Sequence, residues 1–584
     1  MTMSIHSHCF REYVDAGYTP AELRYYFCLL VCQGASAVNL FDEHSKAMCD
    51  DSIYPLGIAS STDERYIRNH LLKSLETIFL REGRQLSDFN LALSDYDESV
   101  DDAAHLQSEA LNRQLHLYPP RKCSDSFHKK YACMTTNVSQ RNVVDTIMEA
   151  VQSGRQSFLF VKAPAGRGKT FTVECALNGV RSLEKVGIPC AFMGNAASNY
   201  EGGTTCHKAF GLAFNSEETH QVSSITSASL RGALIQISSV IFIDEISTLN
   251  VTLFGEIERV CRELGDSTKP FGGKSVVVLG DFRQIPPIVK QGDRSQILAA
   301  TVVSSRLWSL FTTVELQPHD KQRDGGDPNW SGFVDVVGDG LHDELDLAHT
   351  GCKIFTDPVQ AREWCFEEIL NGHTTEKECA ILSTYNAPLE EHNNAIIDAM
   401  SGALIEIEAC EATHPDEANG VCTESFMRMY HNVGIPDHVI RIKKGATVHI
   451  VRNLMTEGGL LTGKKFIFIS ATRYNMTLHL PSDPLKIVVL PRLKFNVDDD
   501  GIKFTRTQFP VKVSFATSVN KCQGKTLHRV LIDLRWPFFA HGQLYVALSR
   551  VSGSSSIAFL AKTDENGVPM TKVQNIVYQE LIRI

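Results

Sequence analysis

The sequence predicts an α/β protein organised around a parallel sheet. Three stretches support this prediction, because each joins a run of apolar residues to a cluster of polar ones: residues 158–172, 238–250 and 275–287. Strands of a parallel sheet are buried on both faces, and ligands bind beyond their carboxyl ends. We therefore predict three buried strands that end at one shared site, within a core covering residues 131–315.

The first stretch predicts a phosphate-binding turn between a strand and a helix. Residues 158–161 are apolar, 163–168 are mostly small or turn-forming, and 169–180 have helical periodicity. Such a turn points backbone N–H groups and the positive end of a helix at one place, which suits a phosphate. The residues predicted to bind a nucleotide here are Ala163, Gly166, Gly168, Lys169 and Thr170.

Two of these residues have specific chemistry. Lys169 supplies a mobile cation for the β- and γ-phosphates of ATP, and the Thr170 hydroxyl is a ligand for Mg²⁺. Ala163 stands where the pattern G-x-x-x-x-G-K-[ST] has its first glycine. Alanine fits there only if the backbone needs no positive φ. A chance glycine-rich turn is the alternative, and the next stretch argues against it.

The second stretch places two carboxylates at the end of an apolar strand. Residues 240–243 are apolar, and Asp244 and Glu245 follow directly. Asp244 is predicted to hold Mg²⁺, and Glu245 to orient and deprotonate the attacking water. Two solvated loop acids are the alternative, which the upstream turn disfavours.

The third stretch repeats this arrangement. Residues 276–279 are apolar, and Gln284 lies in the polar segment that follows. Its amide is predicted to contact the γ-phosphate and to report its loss. Three strand ends suited to phosphate chemistry describe one ATPase core.

Four further positions have weaker signals. Gln140 precedes a helix predicted over 141–152, and its amide both donates and accepts, as pairing with an adenine edge requires. Asn195, Thr205 and His207 lie among small and hydroxyl residues after another predicted strand, where a phosphodiester backbone can approach closely. We predict nucleotide contact for Gln140 and DNA contact for the other three. An ordinary polar helix start and a plain loop are the alternatives.

Composition limits the function classes. The 584 residues carry a net charge of −11, so nucleic-acid binding needs a local basic channel. The 16 cysteines form no C-x-x-C pair, which favours buried thiols in a reducing compartment. No signal-peptide pattern and no membrane-length apolar run are present, so we expect an intracellular protein without a membrane partner.

Longer motifs resemble those of one helicase family. Residues 280–287, Gly-Asp-Phe-Arg-Gln-Ile-Pro-Pro, are similar to motif III of the PIF1-like DNA helicases, particularly the branch encoded by Helitron transposons. Residues 518–526 and 541–551 resemble motifs V and VI of the same family. These motifs follow the family's order, so the chain is identified as a member over most of its length.

The resemblance implies a superfamily-one enzyme with two RecA-like P-loop NTPase lobes. ATP would bind between the lobes, and single-stranded DNA would cross both. Short alternating runs and glycines between 442 and 491 fit the SH3-like β insert that the family has in its second lobe, with a plain β-meander as the alternative. The implied division is a helical N-terminal appendage (1–130), lobe 1 (131–315), lobe 2 (316–440 and 504–584) and the insert (441–503).

The resemblance also implies roles for residues in the second lobe. Arg550 would reach the γ-phosphate across the cleft and couple hydrolysis to lobe closure. The residues implied to contact DNA are Asn386, Lys521, Gln523 and Thr526. Taken one at a time, each could be an ordinary surface residue.

One segment departs from the family pattern. After the strand predicted at 313–316, the family has a polar-Asn-Met-Arg stretch, whereas residues 317–323 read Gln-Pro-His-Asp-Lys-Gln-Arg. Arg323 is our candidate for the family's catalytic arginine, and Arg306 is its competitor. A solvated loop residue is the alternative for Arg323.

Three functions are compatible with these patterns. The first is an ATP-dependent DNA helicase that couples Mg-ATP hydrolysis to 5′-to-3′ movement on single-stranded DNA and unwinds forks, in repair, recombination, telomere maintenance or Helitron transposition. The second is a transposon-derived remnant that binds ATP and DNA without efficient unwinding. The third, a P-loop NTPase of another class such as a nucleotide kinase, is disfavoured by motifs V and VI. Family resemblance also suggests a nuclear monomer, although no targeting signal is seen.

Overall fold

A computed structural model describes most of the chain. The described residues are 5–49, 64–92, 103–135, 137–164, 166–212, 223, 225–227, 229–317, 327–373, 377–413, 423–432, 434–455, 459–499 and 502–584. They form two compact units. Unit 1 comprises Met1–Asp97, Arg362–Ile381 and Asn386–Thr517, and unit 2 comprises Glu98–Ala361, Leu382–Tyr385 and Ser518–Ile584. The predicted five-part division of the chain stays a prediction.

Among the described elements, seven α-helices precede the first strand. The helices are α1 (Ile5–Asp15), α2 (Pro20–Cys32), α3 (Ala37–His44), α4 (Glu64–Arg81), α5 (Ala103–Leu117), α6 (Pro120–Cys133), α7 (Val138–Ser153), α8 (Lys169–Ser182), α9 (Gly194–Ala197), α10 (Cys206–Phe210), α11 (Leu230–Ile237), α12 (Val251–Leu264), α13 (Arg294–Ala300), α14 (Pro328–Gly338), α15 (Pro358–Leu370), α16 (Asn386–Ala399), α17 (Glu424–Met429), α18 (Gln543–Leu548) and α19 (Gln579–Ile582). No helix in the described ranges has both the length and the apolarity needed to cross a membrane.

The strands divide between the two units. They are β1 (Phe158–Lys162), β2 (Val186–Ala191), β3 (Thr204–Thr205), β4 (Ser238–Asp244), β5 (Ser275–Gly280), β6 (Thr312–Glu315), β7 (Glu344–Asp346), β8 (Lys353–Phe355), β9 (Cys379–Ser383), β10 (Ile405–Glu408), β11 (Cys410–Thr413), β12 (Val439–Ile442), β13 (Thr447–Ile450), β14 (Lys465–Ala471), β15 (Asn475–Leu480), β16 (Asp483–Pro491), β17 (Leu493–Asp499), β18 (Ile502–Gln508), β19 (Val511–Val513), β20 (Ala516–Ser518), β21 (Arg529–Asp533), β22 (Ile557–Leu560) and β23 (Lys572–Gln574).

Unit 2 contains the predicted parallel sheet. Its strands lie in the order β3-β2-β4-β5-β1-β6, and each neighbouring pair is parallel. Alternate residues point to opposite faces, as in any strand. Phe160, Ile241 and Val276 pack with α12, whereas Leu159 and Phe242 pack with α7 and α8. The sheet is therefore covered on both faces, which explains the apolar runs within β1, β4 and β5 and confirms the predicted fold class.

A second set of parallel strands also lies in unit 2. β22 pairs with β21 on one side and with β8 on the other, both in parallel. The carboxyl ends of parallel strands meet at one edge of a sheet, where α/β proteins bind ligands.

Unit 1 contains antiparallel β-structure. Five strands lie in the order β16-β15-β14-β13-β19, three in the order β11-β18-β17, and β10 pairs with β12. This agrees with the β-structure predicted for residues 441–503, and β19 completes the first sheet from beyond that range.

The N-terminal helices divide between the units. In unit 1, Tyr26 of α2 donates a hydrogen bond to Asn475 Oδ1 of β15, and Asn475 Nδ2 donates to the Cys9 carbonyl at 2.9 Å. In unit 2, Lys130 of α6 forms an ion pair of 2.5 Å with Glu174 of α8. The helices predicted as one appendage over residues 1–130 thus belong to two different cores.

Candidate nucleotide-binding site

The turn between β1 and α8 has the backbone of a phosphate-binding loop. Gly166 and Gly168 both have a φ of 78°, which glycine adopts without steric cost. Gly168 caps α8, so the N–H groups of the first helical turn face this loop. Ala163 is buried, its N–H donates to the Gly280 carbonyl at 3.0 Å, and its φ is not positive. Alanine therefore replaces the first glycine of the pattern without strain.

Lys169 lies between the two carboxylates that follow the apolar part of β4. Its Nζ is 2.8 Å from Asp244 Oδ1 and 2.7 Å from Glu245 Oε1. Burial by itself lowers the pKa of a lysine, but the two carboxylates outweigh burial and raise the pKa of Lys169 above its usual value. Lys169 therefore stays charged and offers a cation to an anionic ligand.

Glu245 is held in a strained conformation. Its φ of 53° and ψ of 45° lie in the left-handed region, which costs a residue other than glycine about 1–3 kcal/mol. The side chain is buried, and Oε2 has no hydrogen-bond partner. A fixed, buried carboxylate with one free oxygen is suited to accept a proton from water.

A tyrosine that the sequence did not single out contacts both predicted metal ligands. The Tyr200 hydroxyl donates to Asp244 Oδ2 at 2.5 Å and also hydrogen-bonds the Thr170 side chain. Burial and then the Asp244 charge raise the pKa of Tyr200 well above its usual value, so it remains a donor. The Glu245 N–H donates to the other oxygen, Asp244 Oδ1, at 2.7 Å. Hydrogen bonds to both oxygens therefore fix the Asp244 carboxylate.

The loop after β5 is tied to α18 by buried polar groups. The Tyr545 hydroxyl donates to Asp281 Oδ2 at 2.6 Å, and the Arg283 N–H donates to Asp281 Oδ1 at 3.1 Å. Burial raises the pKa of Asp281 despite these bonds. Gln284, the predicted γ-phosphate sensor, is also buried, and its Oε1 has no hydrogen-bond partner. Its amide is thus held at the site with one acceptor to spare.

His541 supports the same loop. Its Nδ1 accepts from the Tyr578 N–H at 2.7 Å, so Nε2 carries the proton and donates to the Phe282 carbonyl at 2.8 Å. Burial lowers the pKa of His541 to about 4. With both ring nitrogens engaged, the neutral imidazole positions the loop and is not a free acid or base.

Asp335 of α14 and Asp339, which caps the end of that helix, neutralise the arginines of this region. Asp335 accepts from Arg167 of the phosphate-binding turn at 3.0 Å and from Arg283 at 2.8 Å. Arg283 also pairs with Asp339 at 2.6 Å. Their spacing of four residues puts Asp335 and Asp339 on one helix face, which is the only signal the sequence offered for them. Tyr200 had no such signal.

Arg550 is buried and holds residues 522–526, the loop at the end of the motif V segment. Its guanidinium donates at 2.8–3.4 Å to the carbonyls of Val546, Lys525 and Cys522. A Cβ added to Gly524 in this loop would lie 3.7 Å from Glu245 Oε1, so the loop lies beside the candidate base. The predicted contact of Arg550 with the γ-phosphate stays a prediction.

Other predicted residues lie at varying distances from this cluster. Gln140 is buried and donates to the Arg167 carbonyl at 3.2 Å, so its amide supports the phosphate-binding turn. Arg323 lies outside the described residues. Gln523 is buried, and its Nε2 has no hydrogen-bond partner. Lys521 and Thr526 are exposed in the same segment.

The remaining predicted DNA contacts are spread over both units. Asn195 lies in α9, and Thr205 caps α10 by accepting from the Lys208 N–H at 3.4 Å. Burial lowers the pKa of His207, the second residue of α10. Asn386 is exposed at the start of α16 and belongs to unit 1, whereas the other predicted DNA contacts belong to unit 2.

The residues present fit Mg-ATP. Within the described ranges, no group of three or more His, Cys, Asp or Glu could hold a metal by itself. Thr170 and Asp244 would therefore hold Mg²⁺ together with phosphate oxygens, which is how this cation is commonly bound. The unpartnered oxygens of Glu245 and Gln284 leave hydrogen-bonding capacity at the same place.

Comparison with known proteins finds similarity to one helicase family. The PIF1-like helicase family profile matches residues 135–336. "ATP-dependent DNA helicase PIF1" of Danio rerio is 26% identical over 411 residues, covering 69% of this chain and 58% of the relative. The Homo sapiens protein of the same name is 25% identical over 421 residues, covering 71% and 59%. The chain thus spans less than two thirds of the length of these relatives.

Solved structures share the fold. The Bacteroides Pif1 helicase in complex with ADP-AlF3 and ssDNA aligns with a TM-score of 0.54 and 22% identity, over 75% of this chain and 95% of that chain. The Candida albicans Pif1 helicase aligns with a TM-score of 0.51 and 21% identity, over 76% and 98%. The chain is therefore similar to the PIF1-like helicases over residues 135–336, and it shares the fold of these solved Pif1 structures.

Proposed function

We propose that this protein is an ATP-dependent DNA helicase that uses Mg-ATP hydrolysis to move 5′ to 3′ along single-stranded DNA and to open forks. The observation that supports it most is the buried group of Lys169, Asp244 and Glu245, in which Glu245 Oε2 has no partner. The relatives named above are DNA helicases, and one matching structure contains ssDNA.

The side chains divide the work of hydrolysis. Mg-ATP, when bound, supplies the phosphoanhydride bond whose cleavage drives movement. Lys169 would bind phosphate, and Thr170 and Asp244 would hold the metal. Glu245 then orients a water and accepts its proton. The geometry already fixes Asp244 on both oxygens, so the metal ligands are pre-positioned.

The loops of motifs III and V communicate the state of the nucleotide. Gln284 Oε1 is an unpartnered acceptor that suits a water beside the phosphate, whereas Gln523 Nε2 is an unpartnered donor that suits a phosphate oxygen. His541 and Tyr545 fix the Gln284 loop to α18. Movement of one loop would therefore be transmitted to the other through α18.

The test is hydrolysis and unwinding by the intact chain. ATP turnover is measured with and without oligo(dT), for wild type and Lys169→Ala. We expect DNA-stimulated turnover that Lys169→Ala abolishes, and unwinding of duplexes with a 5′ tail but not a 3′ tail. Turnover without DNA dependence would favour another NTPase class. Binding of ATP and DNA without turnover would favour a transposon-derived remnant.

The finer assignments belong to the same proposal. A Helitron origin, a role in repair, recombination or telomere maintenance, a nuclear location and action as a monomer all rest on family resemblance. Sedimentation of the DNA-bound protein tests the monomer, and a fluorescent fusion in cells tests the location. A stable dimer or a cytoplasmic fusion would remove the corresponding assignment.

A further inference from the structure

Three exposed aromatic side chains cluster on unit 2. The ring of Tyr385 lies 5.6 Å from that of Trp536 and 5.3 Å from that of Phe539. Their residues are 40%, 39% and 54% exposed, respectively. Single exposed aromatics are ordinary on a protein surface, but a cluster of three indicates a binding surface. We call these three residues the aromatic platform.

The platform lies where two strands end. Tyr385 follows β9 by two residues, and Trp536 follows β21 by three. The Thr384 hydroxyl donates to the Pro537 carbonyl at 3.0 Å, which joins the two segments. The carboxyl ends of strands in an α/β sheet are the usual place for a ligand.

Hydrogen bonds hold the segment that carries Trp536 and Phe539. Arg535 forms a two-point pair with Asp533, at 2.9 Å and 2.8 Å. The Phe539 N–H donates to Gln543 Oε1 at 3.0 Å, and Gln543 Nε2 donates to Asn520 Oδ1 at 3.3 Å. Gln543 therefore connects the platform to the motif V segment beside the nucleotide site.

The charge around the platform favours an anionic, aromatic partner. Lys562 Nζ lies 5.8 Å from the Trp536 ring centroid, where it can meet a phosphate next to a stacked base. A purely apolar peptide would gain nothing from that ammonium group. Exposed aromatic faces beside a cation are the arrangement by which proteins bind single-stranded nucleic acid without sequence preference.

We propose that Tyr385, Trp536 and Phe539 stack the bases of single-stranded DNA, with Lys562 beside the backbone. This inference rests on the proposed function and adds a base-contacting surface to it. Gln543 hydrogen-bonds both the Phe539 N–H and Asn520. It therefore links the base-stacking surface to the motif V segment beside the nucleotide site. Each stacked base contributes roughly fivefold to a hundredfold in affinity.

The test compares two oligomers of equal length and charge, oligo(dT) and a fully abasic oligomer. Affinities are measured for the full chain, for Trp536→Ala, Trp536→Tyr and Phe539→Ala, and for the control Leu341→Ala, which removes an exposed apolar side chain elsewhere on unit 2. We expect Trp536→Ala and Phe539→Ala to weaken oligo(dT) binding at least about fivefold and to leave abasic binding within about twofold. Trp536→Tyr should keep the affinity, because it keeps an aromatic face.

The outcomes separate this inference from the proposed function. Oligo(dT), but not the abasic oligomer, should quench tryptophan fluorescence in wild type, and Trp536→Tyr should remove most of that quenching. If the platform variants bind both oligomers like wild type, or lose both equally, stacking is wrong while DNA binding stands. If wild type binds neither oligomer, both the inference and the proposed function fail.

Discussion

Each unit contains a buried ion cluster, and the two clusters are built differently. In unit 1, Arg506 is fully buried and pairs with Glu411 at 2.6 Å. Its other donors reach the backbone carbonyls of Met427, Tyr430 and Pro436. In unit 2, the Lys169 side chain is 15% exposed and lies at the end of a glycine turn. It forms ion pairs with two carboxylates, those of Asp244 and Glu245.

The comparison shows that an unpartnered buried atom is not by itself evidence of a site. Glu411 Oε2 lacks a partner, just as Glu245 Oε2 does. The two clusters differ in the surrounding backbone. Main-chain carbonyls surround Arg506, whereas Glu245 lies beside Gly524, and its partner Lys169 begins α8 directly after Gly168. Only the second arrangement places a buried carboxylate beside a glycine turn at a helix start, which suits a phosphate.

The largest effect should come from Glu245→Gln. The amide keeps the shape and removes the base, so DNA-stimulated ATP turnover should fall about 10²–10⁴-fold. Thermal stability should fall less than in the control variant, because Lys169 keeps its ion pair with Asp244. Glu411→Gln is the matched control in unit 1 and should lower stability without removing turnover. Equal loss of stability in both variants would contradict the comparison.

Arg506→Met should lower the free energy of unfolding by about 3–5 kcal/mol, because Glu411 is then buried without its cation. Urea denaturation followed by circular dichroism measures this loss. The double variant with Glu411→Gln should recover part of it. A loss below about 1 kcal/mol would mean that the Arg506–Glu411 pair contributes no more than an ion pair on the protein surface.

His541 should make unit 2 sensitive to acid. The pKa of the folded state, about 4, lies below the unfolded value, so protons bind the unfolded chain first as the pH falls. Stability is lost between about pH 6.5 and pH 4, up to about 3 kcal/mol. His541→Gln should reduce this pH dependence, measured as urea midpoints at pH 7 and 5. An unchanged slope would mean that His541 titrates normally.

Tyr200→Phe should weaken the response to Mg²⁺. Loss of the hydroxyl leaves Asp244 Oδ2 without its donor, and such outer contacts affect metal affinity about 10–100-fold. The Mg²⁺ concentration for half-maximal turnover should rise about tenfold. Tyr545→Phe removes a comparable hydroxyl from Asp281 and should leave that concentration unchanged. Equal shifts in both variants would argue for a general loosening.

Asp335→Asn should have the smallest effect. It removes one carboxylate partner of Arg167 at the phosphate-binding turn, so the KM for ATP should fall by up to about fivefold, the limit for a partly exposed ion pair. Asp339→Asn, whose carboxylate pairs only with Arg283 among the ion pairs described, is the control. A rise in KM for Asp335→Asn would mean that Asp335 positions Arg167 for ATP.

The sequence predicted those parts of the fold that depend on local patterns. Apolar runs at 158–161, 240–243 and 276–279 became β1, β4 and β5 because a sheet covered on both faces excludes polar side chains. The helix predicted over 141–152 lies within α7. Lys169, Asp244 and Glu245 were brought together because β1 and β4 end at the same edge of the parallel sheet, with β5 between them.

Contacts between distant residues were not predictable in this way. Tyr200 meets Asp244 across 44 positions, and Tyr545 meets Asp281 across 264. A single hydroxyl–carboxylate contact leaves no periodicity in the sequence. For the same reason, the sequence did not show that the N-terminal helices pack in two different cores. The apolar face of an amphipathic helix indicates that the helix is packed, but it does not identify the partner.

Each unit is built from segments that are far apart in the sequence. This has a consequence for folding during synthesis on the ribosome. The contact between Tyr26 and Asn475 spans 449 positions, so α2 waits for β15 before its core can form. The six-stranded sheet is complete once β6 has emerged and needs no later strand. Distant contacts slow folding and leave apolar surface exposed meanwhile. We therefore expect the sheet of unit 2 to fold early, while nascent unit 1 depends on chaperones until its last strands emerge.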